Sequence, residues 1–450
     1  MSQSTTKPTN GNFANYLAEL QRKRDGAKET IKAMLAIKAN PSASWRGLIA
    51  VPPSSPLEHL LSSFRRHTDI PLELPFFSFL HLLSGWLLQN RVKISGGGLR
   101  GIYPELWTIV LAPSGTGKTT AYNLIAAASP IKSTFPEPAS GARFIEALSQ
   151  NNFSLWFQDE IAQKLKQIDT PNGPLSDIKE YLLRAYGNDK IERSTKMETI
   201  TVEEPCLGIL GLNTQESFWA SLNPESLTDG FSQRFSYVVA EEDPSRPITD
   251  FPIYNETVII KAATDAFQKI QAVALHPEYK IGEEAVQAFK SSFSMLFTEE
   301  IPKSFYRRVL FRAFKYALYY HLILCKTSDT LDAEDMGWAA RLAAMHLQDV
   351  GKLLNKTKLQ GISKLVTSAK KIQSKLNKQG KPLTARDLRN GISGIDTNEQ
   401  AMAIMSLMDD GEIVQNDKEP DYEEPAKTVQ ASSGQSYIVL NDEVPDDETP

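Results

Sequence analysis

The stretch LWTIVLAPSGTGKTTAYNLI constrains this chain more than any other part of it. An apolar run (106–112) enters Ala112-Pro113-Ser114-Gly115-Thr116-Gly117-Lys118-Thr119, and helix-forming sequence follows from Gly117. Strand, glycine-rich turn, lysine, hydroxyl and helix form the phosphate-binding loop pattern, here with Ala112 where the strictest form has Gly. The glycines let successive backbone N–H groups curl toward an anion at a helix N-terminus. On this reading Pro113, Ser114, Gly115, Thr116, Gly117, Lys118, Thr119 and Thr120 cradle ATP. Lys118 reaches the β- and γ-phosphates, and the Thr119 hydroxyl holds Mg²⁺.

The rest of the chain is organised around that loop. Residues 13–39 read as charged helix, and 57–91 as two helices, the second strongly apolar and ending near Asn90. Strands are expected at 106–112, 153–157, 206–212 and 235–240, with helices between them, one of them capped by Ser140. Such alternation predicts an α/β fold with a mostly parallel sheet. After Pro244, Pro247 and Pro252 the strands are expected to stop, and 256–356 reads as long helices, including 305–325 and 332–355 with Asp332 as cap. From Gly361 a helix to 379, LTARDLRNGI, DTNEQAMAIMSLMDDG and the β-runs 412–415 and 436–440 follow the order of a winged helix. The division is then 1–56 (helical and flexible), 57–243 (P-loop NTPase core with its leading helices), 244–360 (helical lid), 361–440 (winged helix) and 441–450 (acidic tail).

A hydrolytic phosphate loop needs a carboxylate beside the metal and a group that orients water. SLWFQDEIA offers Asp159 at a strand tip for Mg²⁺ and Glu160 to polarise the water; the alternative is an acidic pair capping the next helix. The strand CLGILGL ends at Asn213, either a γ-phosphate or water sensor or the N-cap of QESFWASL. Arg234 in DGFSQRF lies just before an apolar strand, a surface position that in ring ATPases carries an arginine finger.

In this order of motifs the chain resembles the AAA+/RecA-like ATPases of replication. Its layout is similar to the MCM helicases, and closer still to a family of phage-, plasmid- and prophage-encoded P-loop proteins described as primase-helicases. The family's D-G-L-x-x-R-F signature is matched by DGFSQRF (229–235), and its strand before the sensor by EPCLGILG (204–211). The resemblance covers about 60–415, with only the P-loop highly specific. It implies ATP and Mg²⁺ at Lys118, Thr119 and Asp159, hydrolysis through Glu160, sensing by Asn213 and a trans contact from Arg234. A second arginine at the site is left open among Arg307, Arg308 and Arg312. The segment before residue 57 is too short for a primase and lacks an acidic metal triad. The implied activity is a hexameric, ATP-driven helicase on single-stranded or forked DNA, with replication proteins as further partners. The alternatives are a helicase loader or initiator that remodels partners, and an ATP-switched DNA-binding regulator.

A net charge of −5 restricts nucleic-acid contacts to local patches. One candidate is the interval GNDKIERSTKMETITVEE, where Lys190, Arg193 and Lys196 fit a channel hairpin, or merely a charged, solvated edge. The other is 361–390, where eight cations, among them Lys381, Arg386 and Arg389, face only Asp387. Two cysteines without a C-x-x-C exclude a disulfide scaffold, and six histidines show no ligand spacing. The polar start MSQSTTKPTN is no signal peptide, and no apolar run is long enough for a membrane. The expectation is a soluble cytoplasmic protein, in the host cytoplasm if phage-encoded.

Overall fold

The computed structural model describes residues 22, 25–31, 51–194, 198–221, 230–243, 246, 249, 252–392, 395 and 397–409. The chain divides into two compact units, Met1–Val350 and Gly351–Pro450.

In the first unit, residues 25–31 are helical, within the helix expected over 13–39. Helix α1 (Pro56–His67) starts where the Ser55 side chain accepts the Glu58 N–H, and it buries Leu57, Leu60, Leu61 and Phe64. Helix α2 (Glu73–Gln89) is apolar nearly all round and almost wholly buried, so it forms the centre of the unit and not a surface layer. Strands β1 (Lys93–Gly96) and β2 (Leu99–Ile102) form a hairpin, and β3 (Trp107–Leu111) leads into the glycine-rich turn. There follow α3 (Lys118–Ala126), α4 (Gly141–Gln150, capped by Ser140), β4 (Ser154–Gln158), α5 (Ile161–Asp169), α6 (Ile178–Gly187) and the hairpin β5 (Ile191–Ser194) with β6 (Thr199–Val202). Next come β7 (Leu207–Asn213), α7 (Gln215–Ser221), a 3-10 turn (Ser232–Arg234) and β8 (Ser236–Val239).

The four expected strands pair in the order β4-β7-β3-β8, all parallel. Apart from half-buried Phe157 and Gln158 at the tip of β4, their side chains are buried on both faces, which is why each reads as a continuous apolar run instead of an alternating one. The chain is therefore an α/β protein.

The expectation that strands stop after Pro252 is overturned. After α8 (Glu256–Gln271), β9 (Glu278–Ile281) pairs in parallel with β1, and β10 (Thr330–Leu331) with β9, giving a second sheet ordered β10-β9-β1-β2. Four residues with two inward side chains, Tyr279 and Ile281, carry too little period to be recognised before their distant partner is known. Between these strands lie α9 (Glu283–Met295), α10 (Lys303–Phe311) and α11 (Ala313–Ile323), so the helix expected over 305–325 is divided at Arg312.

Helix α12 (Ala333–Asn377) begins at a reciprocal cap: Asp332 accepts the Asp335 N–H and Asp335 accepts the Asp332 N–H, each at 3.0 Å. It takes in the helix expected over 332–355, apart from Asp332 itself, and most of the separate one expected over 361–379; Gly361 lowers helix propensity without breaking the helix. The second unit adds α13 (Ala385–Gly391), opened by a Thr384–Asp387 capping box, and α14 (Asn398–Asp409). Val366, Ala369, Leu388, Ile392, Ala401 and Ile404 form its core. The β-runs at 412–415 and 436–440 and the tail 441–450 lie outside the described residues. Among the described residues no helix is long and apolar enough to cross a membrane.

Candidate functional site

At the C-terminal edge of the parallel sheet, β3 gives way to a turn that only glycine can complete at two points. Gly115 has φ +82° and Gly117, the cap of α3, has φ +71°. A Cβ on Gly117 would also stand 2.8 Å from Ile70 Cγ1. Thr116 Oγ1 and Lys118 Nζ each donate to the Pro113 carbonyl at 2.9 Å, bracing the loop from within. Ser114 and Gly115 are exposed, and the first turn of α3 holds no acidic residue to offset the helix dipole.

The loop meets the acidic pair directly. Thr119 Oγ1 donates to Asp159 Oδ2 at 2.5 Å, joining the head of α3 to the tip of β4. The other oxygen, Asp159 Oδ1, accepts the Glu160 N–H at 3.0 Å. Beneath them the rings of Tyr122 and Phe157 stack at 3.6 Å and 4°, and burial pushes the Tyr122 hydroxyl up to about 12. Glu160 is exposed and caps α5 at φ +55°, a left-handed conformation costing a non-glycine residue on the order of 1–3 kcal/mol.

Asn213 lies opposite Leu111, at the same edge of the sheet. It is fully buried; its Oδ1 accepts the Ala162 N–H at 3.1 Å and its Nδ2 donates to the Thr214 carbonyl at 2.9 Å. Its side chain thus caps α5, the helix headed by Glu160. The cap of α7 falls one residue later than the alternative reading of Asn213, since Thr214 Oγ1 accepts the Ser217 N–H at 3.1 Å. Gly211 lets α5 close on β7, because a Cβ there would lie within 2.7–2.9 Å of Ile161.

Arg234 stands at the opposite edge. Thr108 pairs with Ser236, so Arg234 is level with the start of β3. At about 3.3 Å per residue it is roughly 20 Å from the glycine turn of its own chain. Its guanidinium donates to the Gly230 carbonyl and lies 5.3 Å from the Tyr186 ring centroid. Among the three candidate second arginines, Arg307 is exposed, Arg308 donates to Gln233 Oε1, and buried Arg312 donates to the carbonyls of Gln233 and Arg234. Asp229 of the DGFSQRF motif lies outside the described residues.

A third flank of the loop carried no motif. In the α1–α2 connection Ile70 packs on Gly117, Asp69 accepts from the Tyr254 hydroxyl, and the Thr68 carbonyl accepts from Arg246. Burial, first of all, raises the Tyr254 hydroxyl above its ordinary range. The sequence signal there is a polar His67-Thr68-Asp69 interruption between an amphipathic helix and a strongly apolar one.

The candidate nucleic-acid residues fall elsewhere. Lys190, before β5, pairs with Glu192 at 3.4 Å and Glu203 at 3.1 Å; Arg193 is on β5, and Lys196 lies outside the described residues. Within 189–204 the sequence has three cations, Lys190, Arg193 and Lys196, against five carboxylates, Asp189, Glu192, Glu198, Glu203 and Glu204, so the interval is acidic overall. In the second unit Lys381, Arg386 and Arg389 are all exposed, and Arg389 donates to Asn398 Oδ1 at 2.9 Å. Helix α14 has no lysine or arginine. Among the described residues no group of three or more His, Cys, Asp or Glu could hold a metal by itself. Neither a protein-family model nor a curated protein matches the chain.

Proposed function

We propose that this chain is a P-loop ATPase that works as a ring on DNA, with ATP sites between subunits. In this reading it is a helicase or translocase of phage or mobile-element replication. The reading takes residues 57–243 as the nucleotide-binding core and the α12–α14 segment as the helical part of a winged helix. The observation that carries it is the hydrogen bond between Thr119 and Asp159, which brings a loop hydroxyl and a strand-tip carboxylate to one point. Those are the two protein groups that a Mg²⁺ ion takes beside a bound triphosphate, where its remaining ligands are phosphate oxygens and water. A cluster of three carboxylates is not required. When bound, the ion would offset charge on the phosphate oxygens. Lys118 would turn from Pro113 to the phosphates, and exposed Glu160 would take a proton from the attacking water.

Support for a ring comes from Arg234. At roughly 20 Å from its own loop it has no part in its own site, so as an arginine finger it must serve a neighbour. Mixing tests this. Arg234→Ala keeps a good loop and Lys118→Ala keeps a good finger, so two nearly inactive proteins should regain ATP turnover together. Co-assembly is checked by pull-down between differently tagged variants. Co-assembly without recovered turnover would rule out the shared site.

A second reading, a loader or initiator that remodels partner proteins, draws support from the acidic balance of the β5–β6 hairpin and from Lys190 being already paired. Strand displacement by the purified protein separates the two readings: a loader hydrolyses ATP without unwinding.

A further inference from the structure

We infer that Arg308 and Arg312 are positioning residues that hold the Ser232–Arg234 turn, so that the junction of α10 and α11 sets how Arg234 reaches a neighbouring chain. The inference rests on the reading of Arg234 as a trans-acting group.

Residues 308, 312 and 315 recur at i, i+4 and i+7, and Arg312 itself is in the right-handed helical region, so one face continues across the junction. All three cations on that face are committed inward. Arg308 donates to the side chain of Gln233. Arg312, only 3% exposed, donates to two successive carbonyls of the turn, those of Gln233 and Arg234. Both bonds leave one nitrogen, Nη2, whose two N–H groups serve the two successive carbonyls.

Lys315 anchors the same face to the sheet. Its ammonium meets Glu105 Oε1 at 2.5 Å and the Glu105 carbonyl at 3.1 Å, with side-chain exposures of 7% and 2%. Glu105 lies two residues before β3, so the pair ties α11 to the strand that carries the phosphate loop. Tyr186 links this anchor to the finger. Lys315 Nζ lies 5.9 Å and Arg234 Cζ 5.3 Å from its ring centroid, while Trp107 meets the ring edge-on at 5.1 Å. The guanidinium of Arg234 therefore rests on a ring that is itself braced by the start of β3. Withdrawing Arg312 to contact a nucleotide would strand a buried charge and free the turn, which argues against it as a second phosphate contact.

The test uses the full chain in the ATP-turnover and mixing assays. Arg308→Ala is expected to lower kcat about ten- to a hundredfold with KM for ATP unchanged, since a misplacement of about 1 Å costs roughly a hundredfold. Gln233→Ala removes the same bond from its other side and should give a similar loss, which guards against a folding defect peculiar to one variant. Added to Arg234→Ala, Arg308→Ala should cause no further loss. Mixed with Lys118→Ala, which brings an intact turn, it should regain turnover. A further loss in the Arg308→Ala/Arg234→Ala chain means Arg308 touches the nucleotide itself, and the inference is wrong. It is equally wrong if Arg308→Ala resists rescue while Arg234→Ala is rescued, because Arg308 then serves its own site. Failure of Arg234→Ala to be rescued strikes at the trans reading instead, and the double variant alone then judges the clamp.

Discussion

A methyl group added at Gly211 tests whether β7 sets the position of the acidic turn. A Cβ on this residue would meet Ile161 Cγ1, Cβ and Cγ2 at 2.7, 2.8 and 2.9 Å. Carbon atoms are comfortable at about 3.5 Å or more, so Ile161 must retreat by roughly 0.8 Å. Ile161 is the first residue of α5 and follows Glu160 directly, so the displacement is delivered to the residue assigned to the attacking water. Overpacking of this kind costs about 1–3 kcal/mol of stability, and a shift near 1 Å in a reacting group costs on the order of a hundredfold in rate. Gly211→Ala should therefore remain folded with a lowered melting temperature, bind a fluorescent ATP analogue as wild type does, and lose ten- to a hundredfold in kcat. Ile161→Ala in the same chain removes Cγ1 and Cγ2, two of the three close contacts, and should restore part of the rate. A folded Gly211→Ala protein with turnover within about twofold of wild type would show that β7 does not govern the acidic turn. Equal loss of binding and turnover would move the damage to the phosphate loop.

Lys118→Ala should abolish ATP hydrolysis with the far-UV circular dichroism unchanged; retained turnover in the purified variant rejects the loop assignment. Glu160→Gln should bind ATP and trap an assembled state without hydrolysis, seen by size-exclusion chromatography with nucleotide present; loss of ATP binding would make Glu160 a structural residue. His81 is fully buried, and burial holds its imidazole down to about 4. The unfolded chain takes up that proton near 6.5, so this contribution to stability is complete above about pH 6.5 and is lost as pH falls toward 4, by about 3 kcal/mol. His81→Leu should flatten that part of the stability curve in urea titrations between pH 7 and 4.5, and an unchanged slope would assign the acid sensitivity to other groups.

What could be read in advance follows burial and locality. The strands that lead to the glycine turn, the acidic pair and Asn213 are buried on both faces except at the tip of β4, so each stands out as an apolar run whose neighbours need not be known. The caps at Ser140 and Asp332 are local chemistry within three residues, and they could be read for the same reason. β9 was not legible because its partner β1 lies far earlier in the chain and only Tyr279 and Ile281 point inward. The flank formed by Ile70, Asp69 and Tyr254 depends on a contact across 185 residues. Asn213 is marked in the sequence by its place at the strand tip, but that its oxygen caps α5 is a fact of packing between β7 and α5.

The order of the sheet bears on when, during folding, the site can exist. The strand of Asn213 is inserted between the loop-bearing β3 and the acid-bearing β4, and its pairing with β3 joins residues about a hundred positions apart. Contacts of such sequence separation form slowly, because chain entropy must be surrendered before they return anything. The glycine turn and its helix are local and can take shape early. The hydroxyl–carboxylate contact and the cap on α5 must wait until the three strands have closed together. If the chain is the ATPase proposed above, then during synthesis it passes through a stage in which it has the glycine turn but no means of splitting ATP, and turnover becomes a marker of finished sheet assembly.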